Sequence, residues 1–239
     1  MNASKLLLLS NLEYYLKIKQ LFGSSIIAHW PLWEAGGSVA YDISGNGRNG
    51  AAAGIDWGYP GIGDGHTSAY FDGANDYVNV YSASLAAAFN GAEGTIIMWL
   101  KVHDVGVWTD GLRHFAVRLE ADGNNNVSIM KTTTNQLYWY YVAGGVSLRP
   151  ELIVTPTNFI CTGLTWSKDN DRVKAFYNGP QADVTKTGLG VWAGVLDATR
   201  TVIGALNTAS VYSWYGYLAH GVLLNREATH AEMLMAAQV

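Results

Sequence analysis

The apolar and polar positions divide the 239-residue chain into a helical beginning and a long series of short strands. Between residues 4 and 22, apolar side chains such as Leu8 and Leu12 recur at the three- and four-residue spacing of a helix. Gly23 follows at the position where a glycine commonly ends a helix. We therefore predict an N-terminal helical arm over residues 1–25.

The predicted arm carries more apolar surface than one packed stripe can cover. A helix of about 19 residues is marginal alone in water and gains most of its stability by packing. Exposed apolar patches of this kind usually mark interfaces. We expect the arm to bind other subunits of a larger assembly, with coverage of its own domain as the alternative. The side chains expected in this contact are Leu8, Leu12, Tyr15 and Leu16.

From residue 26 onward, short alternating or continuous apolar runs are separated by turns rich in glycine and asparagine, a pattern typical of strands. The strands do not alternate with helices as they would in a parallel sheet. We therefore predict an all-β fold over residues 26–239, a two-sheet antiparallel sandwich or jelly roll. Trp99 and Trp166 lie in strongly apolar runs, and we expect both to be buried. The segment REATHAEMLMAAQ predicts a short C-terminal helix.

Composition and charge argue against some classes of partner. The net charge is -4 and no basic stripe is present, which argues against nucleic acid as a partner. No segment approaches the roughly 20 apolar residues of a membrane span, so none is predicted. The only cysteine, Cys161, cannot form an internal disulfide and lies in an apolar run, where we expect a small core residue.

Six segments in order resemble the laminin G-like modules of the concanavalin A-like lectin and glucanase superfamily. They are HWPLWEAGGSVAYDISGNGRNG, AYFDGANDYVNV, GTIIMWLKV, GLTWSKDNDRVKAFYNG, VIGA and YGYLAHGVLLNREATHAEM. The resemblance runs from about Ile26 to the C-terminus and leaves out the arm. It implies a concanavalin A-like two-sheet sandwich. Members of this group bind calcium, glycans or proteins, and many are non-catalytic parts of enzymes, adhesins or phage virions.

The segment YDISGNGRNG is a candidate metal loop. Asp42, Ser44 and Asn46 place side-chain oxygens at alternate positions, as in the first half of an EF-hand loop. The twelfth position of such a loop needs a bidentate acid and is Ala53 here, so an EF-hand is excluded.

The resemblance implies a different calcium site at this loop, in which an aspartate and main-chain carbonyls are helped by acids from the last strand. The corresponding positions here are Ala219 and His220, which leaves a weak site. We name Asp42 and Asn46 as candidate Ca²⁺ ligands and expect no other cofactor. The alternative is a tight turn, in which both side chains hydrogen-bond locally and the glycines take positive φ.

The sequence lacks a complete set of catalytic carboxylates. Glucanases of the superfamily carry acids at Glu-x-Asp-x-Glu spacing, and the nearest match supplies Glu120 and Asp122 but then Asn124. The six histidines lack zinc-ligand spacing. We therefore expect a protein that is not an enzyme.

Aromatic residues indicate where a ligand could bind. In the run QLYWYYV alternate residues face opposite sides of a sheet, so Tyr138 and Tyr140 are expected on the outer face. Trp192, Tyr212 and Trp214 lie in later loops or strand starts. Aromatic rings beside hydrogen-bonding side chains suit contact with sugars or proteins. The alternative is that each of these five residues packs in the core or on its ridges.

These features predict a non-catalytic structural or binding module. Our first hypothesis is a virion surface component, a capsid decoration or tail-surface protein of a phage, that contacts host glycans. The alternative is a secreted or cell-surface carbohydrate-binding module of lectin type, and a glycoside hydrolase is third. The expected locations are the virion and, for the alternative, the extracellular space.

Overall fold

The chain folds as a sandwich of two antiparallel sheets, which confirms the predicted all-β class. The computed structural model describes residues 13–239. Its α-helices are α1 (Tyr14–Phe22), α2 (Ala83–Ala88) and α3 (His230–Ala236), and its 3₁₀ turns are Gly23–Ser25 and Val105–Thr109. Within residues 13–239, no helix has the length and apolar character needed to cross a membrane.

The first sheet has seven strands in the order β14-β13-β7-β16-β5-β4, with β1 paired to the C-terminal part of β16. Its strands are β1 (Ile26–Trp30), β4 (Asp56–Pro60), β5 (Thr67–Asp72), β7 (Glu93–Val102), β13 (Ile160–Ser167), β14 (Arg172–Tyr177) and β16 (Tyr215–Leu224).

The second sheet has nine strands in the order β11-β10-β9-β8-β15-β6-β3-β2, with β12 paired to β10. Its strands are β2 (Val39–Ala40), β3 (Gly50–Ala53), β6 (Tyr77–Asn79), β8 (His114–Asp122), β9 (Asn125–Lys131), β10 (Gln136–Ala143), β11 (Val146–Leu148), β12 (Glu151–Ile153) and β15 (Thr201–Ile203).

The main core lies between the sheets and is rich in large aromatic side chains. Strand β10 shows why: its residues alternate between half-buried and buried along its whole length, so every second side chain enters the core. Trp166 is fully buried there, and Trp99 is 5% exposed, which confirms both predictions of burial. Trp99, however, faces the outer side of the seven-stranded sheet, where the helices cover it.

The two terminal helices cover part of the outer face of the seven-stranded sheet. Tyr14, Ile18 and Phe22 of α1 are buried against this sheet together with Met233 of α3. The Tyr14 hydroxyl donates a hydrogen bond to the Ala236 carbonyl over 2.9 Å. These contacts tie the described part of the arm to its own domain.

Residues 14–22 therefore cover their own domain, which is the alternative considered for the arm. The strongly apolar outer face of β7 and β16 needs a cover, and α1 supplies it. Tyr15 is half-buried beside Trp33, and Leu16 is 37% exposed. Leu8 and Leu12 lie outside the described residues, and contact of the arm with other subunits stays a prediction.

Candidate functional site

The open outer face of the nine-stranded sheet carries a groove built on β8, β9 and β10. Their cross-strand pairing brings outward side chains into two adjacent rows. The first row is Phe115, Met130 and Tyr138, and the second row is Arg118, Ser128 and Tyr140. The groove has a volume of about 380 Å³, within the usual range for small-ligand sites. We call it the tyrosine–arginine groove.

Two tyrosines form one side of the tyrosine–arginine groove. The rings of Tyr138 and Tyr140 meet edge to face with 5.8 Å between their centres. The Tyr138 hydroxyl donates to Oε1 of Gln136 over 3.0 Å. Burial raises the pKa of Tyr138, so this hydroxyl stays a neutral donor at physiological pH. The side therefore combines flat apolar rings with fixed polar groups.

Three arginines surround these rings, and each lies over an aromatic side chain. The guanidinium carbon of Arg149 is 4.3 Å from the centre of the Tyr138 ring. The guanidinium of Arg118 lies 5.5 Å from the centre of the Phe115 ring, and that of Arg113 lies 6.0 Å from the centre of the Tyr212 ring. Stacking holds a guanidinium in place while leaving its N–H groups free at the edge.

The groove keeps an excess of positive charge. Arg149 lies 3.1 Å from a carboxylate oxygen of Glu151, which offsets its charge. Glu120 is 1% exposed and accepts hydrogen bonds from both Arg118 and Arg200, so one acid serves two cations. Arg113 has no carboxylate within 4.0 Å among residues 13–239. An anionic group is therefore attracted to this face although the whole chain is acidic.

A buried hydroxyl without a partner lies beneath the groove. Ser128 is fully buried between Arg118 and Tyr140, and its Oγ has no hydrogen-bond partner in the described part of the chain. A buried polar group without a partner costs free energy unless a water or ligand satisfies it.

The structure brings three of the five predicted ligand-binding residues to this face. Tyr138 and Tyr140 line the groove. Tyr212 is 44% exposed at its edge and stacks on Phe115, with 6.4 Å between the ring centres.

The other two predicted ligand-binding residues lie elsewhere. The prediction for Trp214 is wrong: it is fully buried in the core, and its indole N–H donates to the Lys101 carbonyl over 3.3 Å. Trp192 is half-buried against the core, where its ring is 5.2 Å from that of Phe89. Both indoles pack in or against the core and do not line the groove, because large aromatic side chains also fill the interior of a large β-sandwich.

Sequence reasoning missed the partners of the tyrosines. Arg113, Phe115 and Arg149 line the groove but belong to segments other than QLYWYYV. The alternation in LRHFAVRLE places Arg118 on one side of β8, which is a usable signal. The strand pairing that brings it beside Tyr140 through Ser128 is not visible in the sequence.

The candidate metal loop is held as a tight turn. Oδ1 of Asp42 accepts hydrogen bonds from the backbone N–H groups of His29 and Ser44, both over 2.9 Å. Its Oδ2 accepts from the Ser44 hydroxyl over 2.8 Å and from the Arg48 N–H over 2.9 Å. In these four bonds Asp42 has the role that the tight-turn alternative gives it.

Asn46 has the same structural role in this turn. Its side-chain nitrogen donates to the carbonyls of Ile26 and Ile27, both over 3.0 Å. The neighbouring Gly45 and Gly47 have φ values of 95° and 68°, a region that favours glycine. No group of three or more acidic, histidine or cysteine side chains within residues 13–239 has the arrangement of a metal site. Calcium binding by Asp42 and Asn46 stays a prediction.

The carboxylates considered for catalysis have structural partners. Glu120 is held between Arg118 and Arg200. Asp122 accepts hydrogen bonds from the Asn124 backbone N–H over 2.8 Å and from the Asn125 amide over 3.0 Å, which fixes the turn between β8 and β9. Neither carboxylate is free in the way that an acid–nucleophile pair requires.

Comparison with known proteins shows the fold and no closer kinship. No protein-family model matches the chain, and no curated protein sequence matches it. The binding domain of botulinum neurotoxin serotype D is similar in structure, with a TM-score of 0.66 at 10% identity over 90% of this chain. The binding domain of Paraclostridial Mosquitocidal Protein 1 gives 0.65 at 14% identity over 90% of the chain.

A sialidase shares the same fold. Trypanosoma rangeli sialidase in complex with sialic acid matches 91% of this chain with a TM-score of 0.65 and 12% identity. The chain spans 33% of the sialidase and 52% of each toxin binding domain. At identities this low the comparisons establish a shared sandwich, which agrees with the jelly-roll expectation.

Proposed function

We propose that this protein is a non-catalytic binding module that recognises acidic glycans through the tyrosine–arginine groove. The observation that carries this proposal is the placement of Tyr138 and Tyr140 beside three arginines on an uncovered sheet face. A protein of net charge -4 that keeps excess positive charge at one aromatic surface favours an anionic ligand there.

The two kinds of side chain in the groove suit the two parts of an acidic sugar. A pyranose ring has an apolar face of C–H groups, which packs on an aromatic ring such as Tyr140. Its carboxylate or sulfate accepts paired N–H donors from a guanidinium such as Arg113. Hydroxyl groups of the sugar find donors and acceptors at Gln136 and Thr133, which line the groove.

Two further findings support the proposal. One protein with this fold is a sialidase solved in complex with sialic acid, which is a carboxylated sugar, and two others are binding domains of toxins. In this chain Glu120 and Asp122 already hold structural partners, which favours binding without hydrolysis. A glycan-binding role agrees with both the virion hypothesis and the extracellular alternative, and each of these locations stays a prediction.

The test compares two saccharides that differ by one acidic sugar. We expect sialyllactose to bind at least ten times more tightly than lactose, a difference of about 1.4 kcal/mol. Arg113→Ala should remove this preference because it deletes the guanidinium that lacks a carboxylate partner. Tyr140→Ala should weaken both saccharides because stacking serves neutral and acidic rings alike. Titration calorimetry at low and high salt measures all three effects.

A tyrosine on the other sheet provides the matched control. Tyr59 is half-buried on the seven-stranded sheet beside Tyr70, and Tyr59→Ala should leave saccharide binding unchanged. A sulfated oligosaccharide used in parallel identifies the preferred acid. Equal affinity for lactose and sialyllactose, or unchanged binding in Arg113→Ala, contradicts the proposal for acidic glycans.

A further inference from the structure

A second cavity lies on the opposite side of the molecule, between α1, β1 and the Asp42 turn. It has a volume of about 500 Å³, which suits a small organic molecule. Most of the surface that faces the cavity is apolar, and the apolar side chains that line it are Tyr15, Ile26, Trp33 and Ile43. We call it the helix–turn cavity. It shares no residue with the tyrosine–arginine groove.

One wall of the helix–turn cavity is an aromatic cluster. Trp33 and His66 lie with their ring centres 4.0 Å apart and their planes tilted by 36°. The ring of Tyr15 meets Trp33 edge to face over 5.8 Å. Such a wall is rigid because each ring restricts its neighbours, and it offers aromatic surface to a flat ligand.

A buried chain of three polar side chains reaches this cavity from behind. Nε2 of His220 lies 2.9 Å from Oδ2 of Asp64, and Nδ1 of His220 lies 3.1 Å from Nε2 of His29. His220 is fully buried, and His29 is 2% exposed and lines the cavity. The chain therefore connects a buried carboxylate to the cavity through two imidazoles.

The charge state of this chain follows from its surroundings. Burial lowers the pKa of His29, and the neighbouring His220 lowers it further. Burial also lowers the pKa of His220, although Asp64 opposes the shift. Burial raises the pKa of Asp64, but the hydrogen bond and charge of His220 outweigh it and leave this pKa below its usual value. At neutral pH the chain is a carboxylate followed by two neutral imidazoles.

This charge state determines the tautomers. A neutral imidazole has one N–H, and His220 must use it at Nε2 to donate to the Asp64 carboxylate. Nδ1 of His220 is then an acceptor, so His29 must donate from Nε2. Nδ1 of His29 is left with a bare lone pair, and no hydrogen-bond partner for it exists among residues 13–239. The cavity therefore has a fixed hydrogen-bond acceptor.

The backbone is strained at His220 and at Leu32, so the arrangement of the two histidines is held at a local cost in free energy. His220 has a φ of 50° at the irregular position in β16, and its N–H donates to the Pro31 carbonyl over 3.0 Å. Leu32, which follows Pro31 in the chain, has a φ of 61° and is fully buried. Such conformations disfavour side chains larger than glycine and cluster at functional sites.

We propose that the helix–turn cavity binds a small neutral aromatic molecule that carries one hydroxyl or N–H donor, a compound of the phenol or indole type. Its ring packs beside Trp33 and Ile43, and its donor bonds to Nδ1 of His29. The two charged residues at the mouth, Glu13 and Lys19, are opposite in sign, so the cavity favours neither an anion nor a cation.

The test compares phenol with toluene, which has nearly the same shape and no donor. A plain apolar cavity binds toluene more tightly because toluene leaves water more readily. We expect the reverse here, with phenol binding at least ten times more tightly than toluene in the full-length protein. Phenol should also shift the ¹⁵N resonance of His29 Nδ1, which reports directly on the acceptor. Binding is measured by titration calorimetry and NMR.

Two variants separate the acceptor from the cavity itself. His29→Phe should remove the preference for phenol and leave toluene binding in place. Ile43→Trp, on the half-buried turn, should fill the cavity and abolish binding of both compounds even if His29→Phe fails to fold. Leu16→Ala, on α1 outside the lining, is the control and should change neither. Tighter binding of toluene than phenol, or binding that survives Ile43→Trp, overturns the proposal.

Discussion

The part of the seven-stranded sheet that the terminal helices cover is built from different outward residues than the open outer face of the nine-stranded sheet. The face of the seven-stranded sheet presents Ile97, Trp99 and Val222, and the two terminal helices bury them. The face of the nine-stranded sheet presents Tyr138, Tyr140 and arginines, and within residues 13–239 no helix packs over it. In each sheet, residues that face the core alternate with residues that face outward. Packing in the core therefore does not by itself determine which residues stand on the outer faces.

The difference separates residues that stabilise the fold from residues that remain available to a ligand. Apolar side chains on an outer face need a cover, and the helices that supply it become part of the domain. Amphipathic side chains such as tyrosine and arginine tolerate water and still offer contact area. The covered face therefore contributes mainly stability, and the open face contributes mainly recognition.

The largest expected effect is on the covered face. Ile18 of α1 is fully buried against the sheet, and we expect Ile18→Ala to lower the free energy of unfolding by about 2–4 kcal/mol. Leu16→Ala on the same helix is the control and should cost about 0.5 kcal/mol or less, since Leu16 is exposed. Denaturant unfolding measures both variants. Similar costs for the two would show that α1 does not pack as described.

The second prediction concerns pH. The pKa values of His29 and His220 are lowered in the folded state, so the unfolded chain takes up protons first as the pH falls below about 6.5. Each histidine then reduces stability by up to about 1.4 kcal/mol per pH unit. Burial raises the pKa of Asp76 to about 6 and also raises the pKa of Glu34, so these two carboxyls oppose the two histidines. The lowered pKa of Glu232, which Arg226 holds down against burial, adds to the loss of stability toward pH 5. The free energy of unfolding should therefore fall between pH 7 and pH 5.

Denaturant unfolding at several pH values checks this sign. Stability that stays constant or rises toward pH 5 would mean that the two buried histidines hold their protons in the folded protein.

The smallest effect on stability is expected on the open face, at Ser128. Its buried hydroxyl has no partner in the described chain, so Ser128→Ala should change the free energy of unfolding by about 0.5 kcal/mol or less. Affinity for the acidic saccharide should stay the same, because the Ser128 hydroxyl is fully buried and does not line the groove. Ser167→Ala is a comparison for another buried serine, whose Oγ accepts from Asn170. A large loss of stability in Ser128→Ala would indicate a structural partner for the hydroxyl.

The sequence predicted the fold well because its strongest signal is local. Alternation in QLYWYYV placed Tyr138 and Tyr140 outside and Trp139 inside, as the structure shows. The same rule could not place Trp214, because this residue precedes β16 and its direction depends on the core that it closes. The apolar surface of α1 was visible, but the sheet face that receives it was not.

The candidate sites depended on contacts between distant segments. The groove needs Arg118 of β8 beside Tyr140 of β10, and the helix–turn cavity needs His29, Asp64 and His220, which are far apart in the sequence. The order of the strands in the sheets determines which of these residues meet, and no local sequence pattern indicates that order. The Asp42 turn could be weighed as an alternative because three of the four hydrogen bonds to Asp42 come from residues within six positions of it.

The packing of α1 against α3 also fixes an orientation for experiments. Lys17 donates to the Gln238 carbonyl over 3.0 Å, so the end of the chain lies beside α1 on the helical side of the sandwich. The tyrosine–arginine groove opens on the other side. A tag attached after Val239 and captured on a sensor surface would therefore hold the helical side toward the support and present the groove to the flowing sample.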